Sequence, residues 1–169
     1  STRALQDITE QHGMQYQASA VGEVNVVAKM RSIDAIIGGE GNGGIIYPTL
    51  HAGRDALLGI ALFLSHLAHQ NCKMTELKAS YPAYFISKNK IELTPQIDVD
   101  KLLEDVVKTY ADMPINQEDG VRIDFDKSWV HLRKSNTEPI IRIYAESTSA
   151  AQADDLANKM IQVIQGLTV

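Results

Sequence analysis

The segment His131–Glu146, H-L-R-K-S-N-T-E-P-I-I-R-I-Y-A-E, narrows the possible folds more than any other stretch. Trp129–Arg133 alternates with the period of a strand, and Ile140–Ala145 reads as a second strand. Between them sit Arg133, Lys134, Ser135, Asn136, Thr137, Glu138 and Pro139, with Arg142 just beyond. Two guanidinium forks, two hydroxyls, an amide and the turn amides can converge on a small volume, which is how a protein grips a phosphate monoester. Each charge-assisted hydrogen bond contributes about 1.5–3 kcal/mol. The same residues also suit a plain hairpin turn with ordinary surface charge.

The chain has 169 residues, enough for one medium domain or two small ones. Its net charge of −5 argues against nucleic acid as the main partner. An anionic substrate then needs a local basic site within an acidic background. The single cysteine, Cys72, excludes an internal disulfide, suits a reducing cytoplasm and reads as structural. No apolar run approaches the roughly 18–20 residues of a membrane span. The most apolar stretch, Ala56–Leu67, is broken by Gly59, Ser65 and His66, so no membrane partner is expected. The opening S-T-R-A-L-Q-D-I lacks a Met and looks like a helix N-cap, so a fragment of a longer protein is expected.

In chain order, Ser1 or Thr2 caps a helix to about Gln11, which Gly13 ends. Met14–Ala18 alternates as a strand, Val24–Arg31 reads as a short helix and Ala35–Gly38 as a strand. That rhythm of helix and strand is the α/β pattern, with a preceding first strand absent. Ile45–Tyr47 is a short strand. Asp55 caps a helix over Ala56–Gln70, whose expected buried face is Leu57, Ile60, Ala61, Leu64 and Leu67. Thr75 caps a short helix to Ser80, and Tyr84–Thr94 forms a strand or a bent pair. Pro95–Asp98 looks like a joint, giving domains at 1–94 and 95–169. The second begins with a helix from Asp98 or Asp100 to Tyr110. Strands at Val121–Phe125, Trp129–Arg133 and Ile140–Glu146 follow. A final helix buries Ala153, Leu156, Ala157, Met160 and Ile164. The fold class is therefore α/β plus α+β, the second part a small antiparallel sheet flanked by helices.

Gly38–Gly44 is G-G-E-G-N-G-G, five glycines in seven residues. Glycine opens positive φ and lets a ligand approach the backbone. Glu40 and Asn42 are its only side chains, and a carboxylate with an amide suits sugar hydroxyls. The run fits neither the dinucleotide fingerprint nor a P-loop. A flexible glycine turn remains the alternative. His51 and Arg54 lie just beyond it, where spacing alone does not say whether either points into a site.

Together the two loops resemble those of the α-D-phosphohexomutase family: phosphoglucomutase, phosphomannomutase and phosphoglucosamine mutase. Gly39–Gly44 is similar to the family's sugar-recognition loop, G-E-x-S-G-H, and Arg133–Pro139 followed by Arg142 to its phosphate-binding loop. H-x-G-R-D after the glycine loop resembles a prokaryotic and archaeal branch. The resemblance covers the whole chain, as the third and fourth domains of a four-domain enzyme. It implies that Glu40, Asn42 and Gly43 contact the sugar, and that Arg133, Ser135, Asn136, Thr137 and Arg142 hold the phosphate that is not reacting. His51 and Arg54 would back the site. Asn42 stands where many relatives have Ser. Gly44 stands where many have His, so one ring contact is lost. Glu23 stands where some have a His linked to proton transfer, so its carboxylate could do acid–base work; the plainer reading is an exposed turn glutamate.

The resemblance further implies a reaction that moves a phosphoryl group between O1 and O6 of glucose, mannose or glucosamine phosphate. A phosphoserine and a bisphosphorylated intermediate carry it. The phosphoserine loop (T-A-S-H-N-P-like) and the D-x-D-x-D magnesium site belong to the two N-terminal domains and are absent from this sequence. The implied cofactor is thus Mg2+ with ligands elsewhere, and the piece would be inactive alone. A non-catalytic phosphosugar-binding or regulatory module is the competing reading.

Overall fold

The computed structural model describes residues 1–94, 97–135 and 138–167. The chain forms two compact units, Ser1–Pro82 and Ala83–Val169.

In the first unit, α1 (Arg3–Gln11) starts at Thr2, whose hydroxyl accepts from the Ala4 N–H. Then come α2 (Glu23–Ser32), β1 (Gly38–Gly39), β2 (Ile45–Tyr47) and β3 (His51–Arg54). These three strands form an antiparallel sheet in sequential order. Helix α3 (Ala56–Gln70) is capped by Asp55, which accepts from the Leu58 N–H, and α4 (Met74–Ser80) follows. Lys73, not Thr75, is the N-cap of α4, and the Glu76 carboxylate accepts from the Lys73 N–H.

Three expectations change here. Met14–Ala18 is not a strand, and of Ala35–Gly38 only Gly38 is in one. Alternation supplies a face, but a strand exists only where a neighbour completes its hydrogen-bond ladder. The apolar stripe of α3 is not buried: Leu57 is 79% exposed, and Ile60 and Leu64 are exposed as well. Helical spacing states which residues share a side, not what covers it.

The second unit comprises β4 (Phe85–Glu92), α5 (Val99–Thr109), β5 (Ile115–Asn116), β6 (Val121–Asp124), β7 (Trp129–Lys134), β8 (Ile140–Ser147) and α6 (Ala150–Leu167). The sheet runs β4-β8-β7-β6-β5, antiparallel throughout. Helix α6 packs on β8, β4 and β7, with α5 beside it. Leu102 and Val106 of α5 and Ala157, Met160 and Ile164 of α6 meet Val121, Ile123, Val130, Leu132, Ile141 and Ile143 in one core. Asp98 caps α5 by accepting from the Asp100 and Lys101 N–H groups.

The sequence places the joint near Pro95, a residue outside those described, and assigns Tyr84–Thr94 to the first domain. The structure corrects this. Strand β4 is one unbroken strand paired along its length with β8, so it belongs to the second unit. Such a pairing spans most of the unit and leaves no local trace in the sequence.

Candidate functional site

In the first unit, β1 and β2 form a hairpin around the glycine loop. The Glu40 N–H donates to the Gly44 carbonyl at 3.0 Å, and the Gly43 N–H donates to the Glu40 carbonyl at 3.1 Å. Asn42 Oδ1 accepts from the Gly44 N–H at 3.0 Å, so this oxygen braces the loop from within. Gly43 has φ of +92°, open to glycine at no steric cost.

Arg54, at the end of β3, lies across this loop. A Cβ built at Gly44 would stand 2.5 Å from Arg54 Cδ, so a side chain there would have to displace the arginine stem. Glu23, the first residue of α2, takes the guanidinium: Glu23 Oε2 accepts from Arg54 Nε at 2.8 Å, and Oε1 accepts from the Arg54 backbone N–H at 3.1 Å. Arg54 Nη1 is 3.8 Å from Glu40 Oε2. Three charged side chains from a helix start, a hairpin loop and a strand end thus meet at one place. The hydrogen bonds from the Arg54 backbone and then its side chain lower the Glu23 carboxyl below its ordinary value. His51 takes no part in this contact: its Nε2 lies 3.1 Å from Asp55 Oδ2, at the α3 cap. The hydrogen bond from the Leu58 backbone, followed by that from His51, lowers the Asp55 carboxyl.

In the second unit, β7 and β8 close the other hairpin. The Ser135 N–H donates to the Ile140 carbonyl at 3.0 Å. Arg133 and Arg142 are cross-strand partners and therefore emerge on one face. Arg142 also faces Lys90 on β4, so three cations stand in register across β7, β8 and β4. Arg133 Nε lies 3.2 Å from Asp119 Oδ1, and Arg142 Nη2 lies 3.8 Å from Glu138 Oε2. Lys134 Nζ reaches both Asp100 oxygens, at 3.1 and 3.2 Å. Asn136 and Thr137, two expected phosphate ligands, lie outside the described residues. Arginines opposed in this way repel one another, and a phosphate dianion accepting from both forks would relieve that repulsion.

The family model described as "Phosphoglucomutase/phosphomannomutase, alpha/beta/alpha domain III" matches residues 1–84, and that for the C-terminal domain matches residues 71–163. The chain belongs to the phosphoglucomutase/phosphomannomutase family. Within that family it is 32% identical over 168 residues to a phosphoglucosamine/phosphogalactosamine mutase of Sulfurisphaera tokodaii, covering 98% of this chain and 37% of that one. It is also 32% identical over 167 residues to a phosphoglucomutase/phosphomannomutase of Thermococcus kodakarensis, covering 98% of this chain and 36% of that one. The chain thus spans little more than a third of the length of these relatives. A family structure from Burkholderia thailandensis superposes with a TM-score of 0.75 at 21% identity, over 98% of this chain and 35% of that one. An Aspergillus fumigatus N-acetylphosphoglucosamine mutase, bound to GlcNAc-6P and magnesium, superposes with a TM-score of 0.62 at 17% identity, over 95% of this chain and 38% of that one. These last two likenesses are of fold.

Within this family chain, no group of three or more His, Cys, Asp or Glu that could hold a metal ion occurs among the described residues. Nor is any helix among them long and apolar enough to cross a membrane. Sequence reasoning missed Asp119 and Lys90. Asp119 lies in the turn just before β6, where it pairs with Arg133 and its carbonyl meets His131 Nε2. The available signal was the turn itself, since β6 leaves it to pair with β7. Lys90 had no such signal, because its neighbour Arg142 is remote in sequence.

Proposed function

We propose that this chain is the substrate-binding part of a phosphohexomutase that interconverts hexose 1-phosphate and hexose 6-phosphate. The opposition of Arg133 and Arg142 at the base of the β7–β8 hairpin carries the reading. It supplies two forks on one face for the phosphate that is not reacting, with Ser135, Asn136 and Thr137 as further ligands. Glu40, with Gly43 and the amide of Asn42, reads the sugar hydroxyls. The hexose is glucose, mannose or glucosamine. The reacting phosphoserine and the Mg2+ ligands lie in segments outside these residues, and the metal would stabilise charge on the transferring phosphoryl group. On this reading the chain alone binds sugar phosphate without turning it over, in the cytoplasm.

The test begins with the reading frame upstream of Ser1. A serine loop and a D-x-D-x-D segment there, with mutase turnover of a hexose phosphate panel by the complete gene product, are the expected result. A frame that opens close to Ser1 with the phosphosugar affinity retained would make the chain a non-catalytic phosphosugar-binding module instead.

A further inference from the structure

Glu40 is the side chain best suited to sugar hydroxyls in the glycine loop, and nothing in that loop holds its carboxylate still. Within the loop, the hydrogen bonds use the Glu40 backbone and the Asn42 side chain. What approaches the Glu40 carboxylate comes from outside: the Nη1 end of Arg54, at 3.8 Å. Arg54 is itself held at its other end, because Nε and the backbone N–H both donate to Glu23. Its stem lies so close over Gly44 that a side chain there would have to push it aside. A guanidinium is planar and presents donors on two edges, so one arginine can be fixed along one edge and act along the other.

We propose that Arg54 is the positioning residue of the glycine-loop site, anchored by Glu23 and holding the Glu40 carboxylate where it accepts from the hydroxyls of a hexose phosphate. This rests on the sugar-binding reading of Glu40 and deepens it. It also gives Glu23 a part other than proton transfer. A carboxylate that accepts from Arg54 through both oxygens, and whose pKa is pushed down by those bonds, is a poor base. Its use is to fix the arginine.

The test uses the complete gene product, titrated with glucose 1-phosphate and glucosamine 6-phosphate, with thermal melts as the folding control. Losing one charge-assisted contact weakens binding by about tenfold or more. Arg54→Gln is expected to show that loss, and Arg54→Lys, which meets one carboxylate but cannot fork across two, to fall between it and the wild type. Arg54→Gln combined with Glu40→Gln should bind no more weakly than Glu40→Gln alone, because the arginine acts only through that carboxylate. Inorganic phosphate affinity should stay unchanged in Arg54→Gln. The isosteric Glu23→Gln should weaken sugar phosphate binding and keep both limbs of the pH–rate profile. Additive losses in the double variant, wild-type affinity in Arg54→Gln, or a limb missing in Glu23→Gln would each overturn the proposal. Wild-type affinity in Glu40→Gln would instead remove the sugar-loop reading, and this inference with it.

Discussion

Arg133 and Arg142 stand directly opposite one another on adjacent antiparallel strands, and Lys90 stands opposite Arg142 on its other side. Like charges placed directly opposite one another are destabilising. Sheets ordinarily avoid the arrangement, and an anion reverses its sign. Arg142→Ala should therefore leave the free chain as stable as before or slightly more so. It should also weaken glucose 1-phosphate binding by about 1.5–3 kcal/mol. Calorimetric titration with a melt of each variant measures both, and unchanged affinity would remove Arg142 from the phosphate site.

The Gly44 position offers a second check. An added methyl group would meet Arg54 Cδ at 2.5 Å, so Gly44→Ala must displace the arginine stem. The expected outcome is weaker sugar phosphate binding with inorganic phosphate affinity intact. Chemical shifts of Glu23 and Glu40 side chains should move together. A Gly44→Ala protein with wild-type affinity would show that the stem moves aside without consequence.

Glu146 is fully buried, and its Oε1 accepts from Trp129 Nε1 at 2.7 Å. Replacing it with Leu leaves a buried indole N–H without its acceptor, a loss of about 1–3 kcal/mol. Glu146→Gln keeps an acceptor in place and should lose much less. Urea unfolding separates the two. Equal losses would mean that packing, not the hydrogen bond, decides the site.

His131 sets an acid limit on the second unit. Burial, the largest cause, pushes this imidazole below its ordinary value, against the opposing hydrogen bond to the Asp119 backbone. The unfolded chain takes up a proton near pH 6.5 that the folded chain refuses until lower pH. The contribution is therefore fully present above about pH 6.5 and is lost as pH falls below it. His131→Gln should lower the melting temperature at pH 7.5 yet flatten its decline toward pH 5.5. An unchanged slope would assign the acid sensitivity to other groups.

Much of the second unit was legible because its information is local. Leu102 and Val106 share a helix face by spacing, as do Ala153, Ala157, Met160 and Ile164, and the core receives both sets. Alternation marked β6, β7 and β8, and the polar centre between the last two marked the Arg133–Arg142 hairpin. The two-residue strand β5 was too short to show a period. In the first unit, Met14–Ala18 alternates as cleanly as a strand and is not one, while His51–Arg54 shows little alternation and is one. The difference is a partner: β3 lies against β2, and Met14–Ala18 is in no ladder.

By itself the sequence determined which residues share a face and where most helices start, and it singled out two loops as candidates for site chemistry. Those properties follow from side-chain period and from capping chemistry within a few residues. Only the tertiary structure decided that β4 joins β8, that α3 leaves Leu57 exposed, and that Glu23 holds Arg54 from thirty-one residues away. Each of those depends on which distant surface completes a ladder, covers a face or neutralises a charge, and no local pattern encodes the choice.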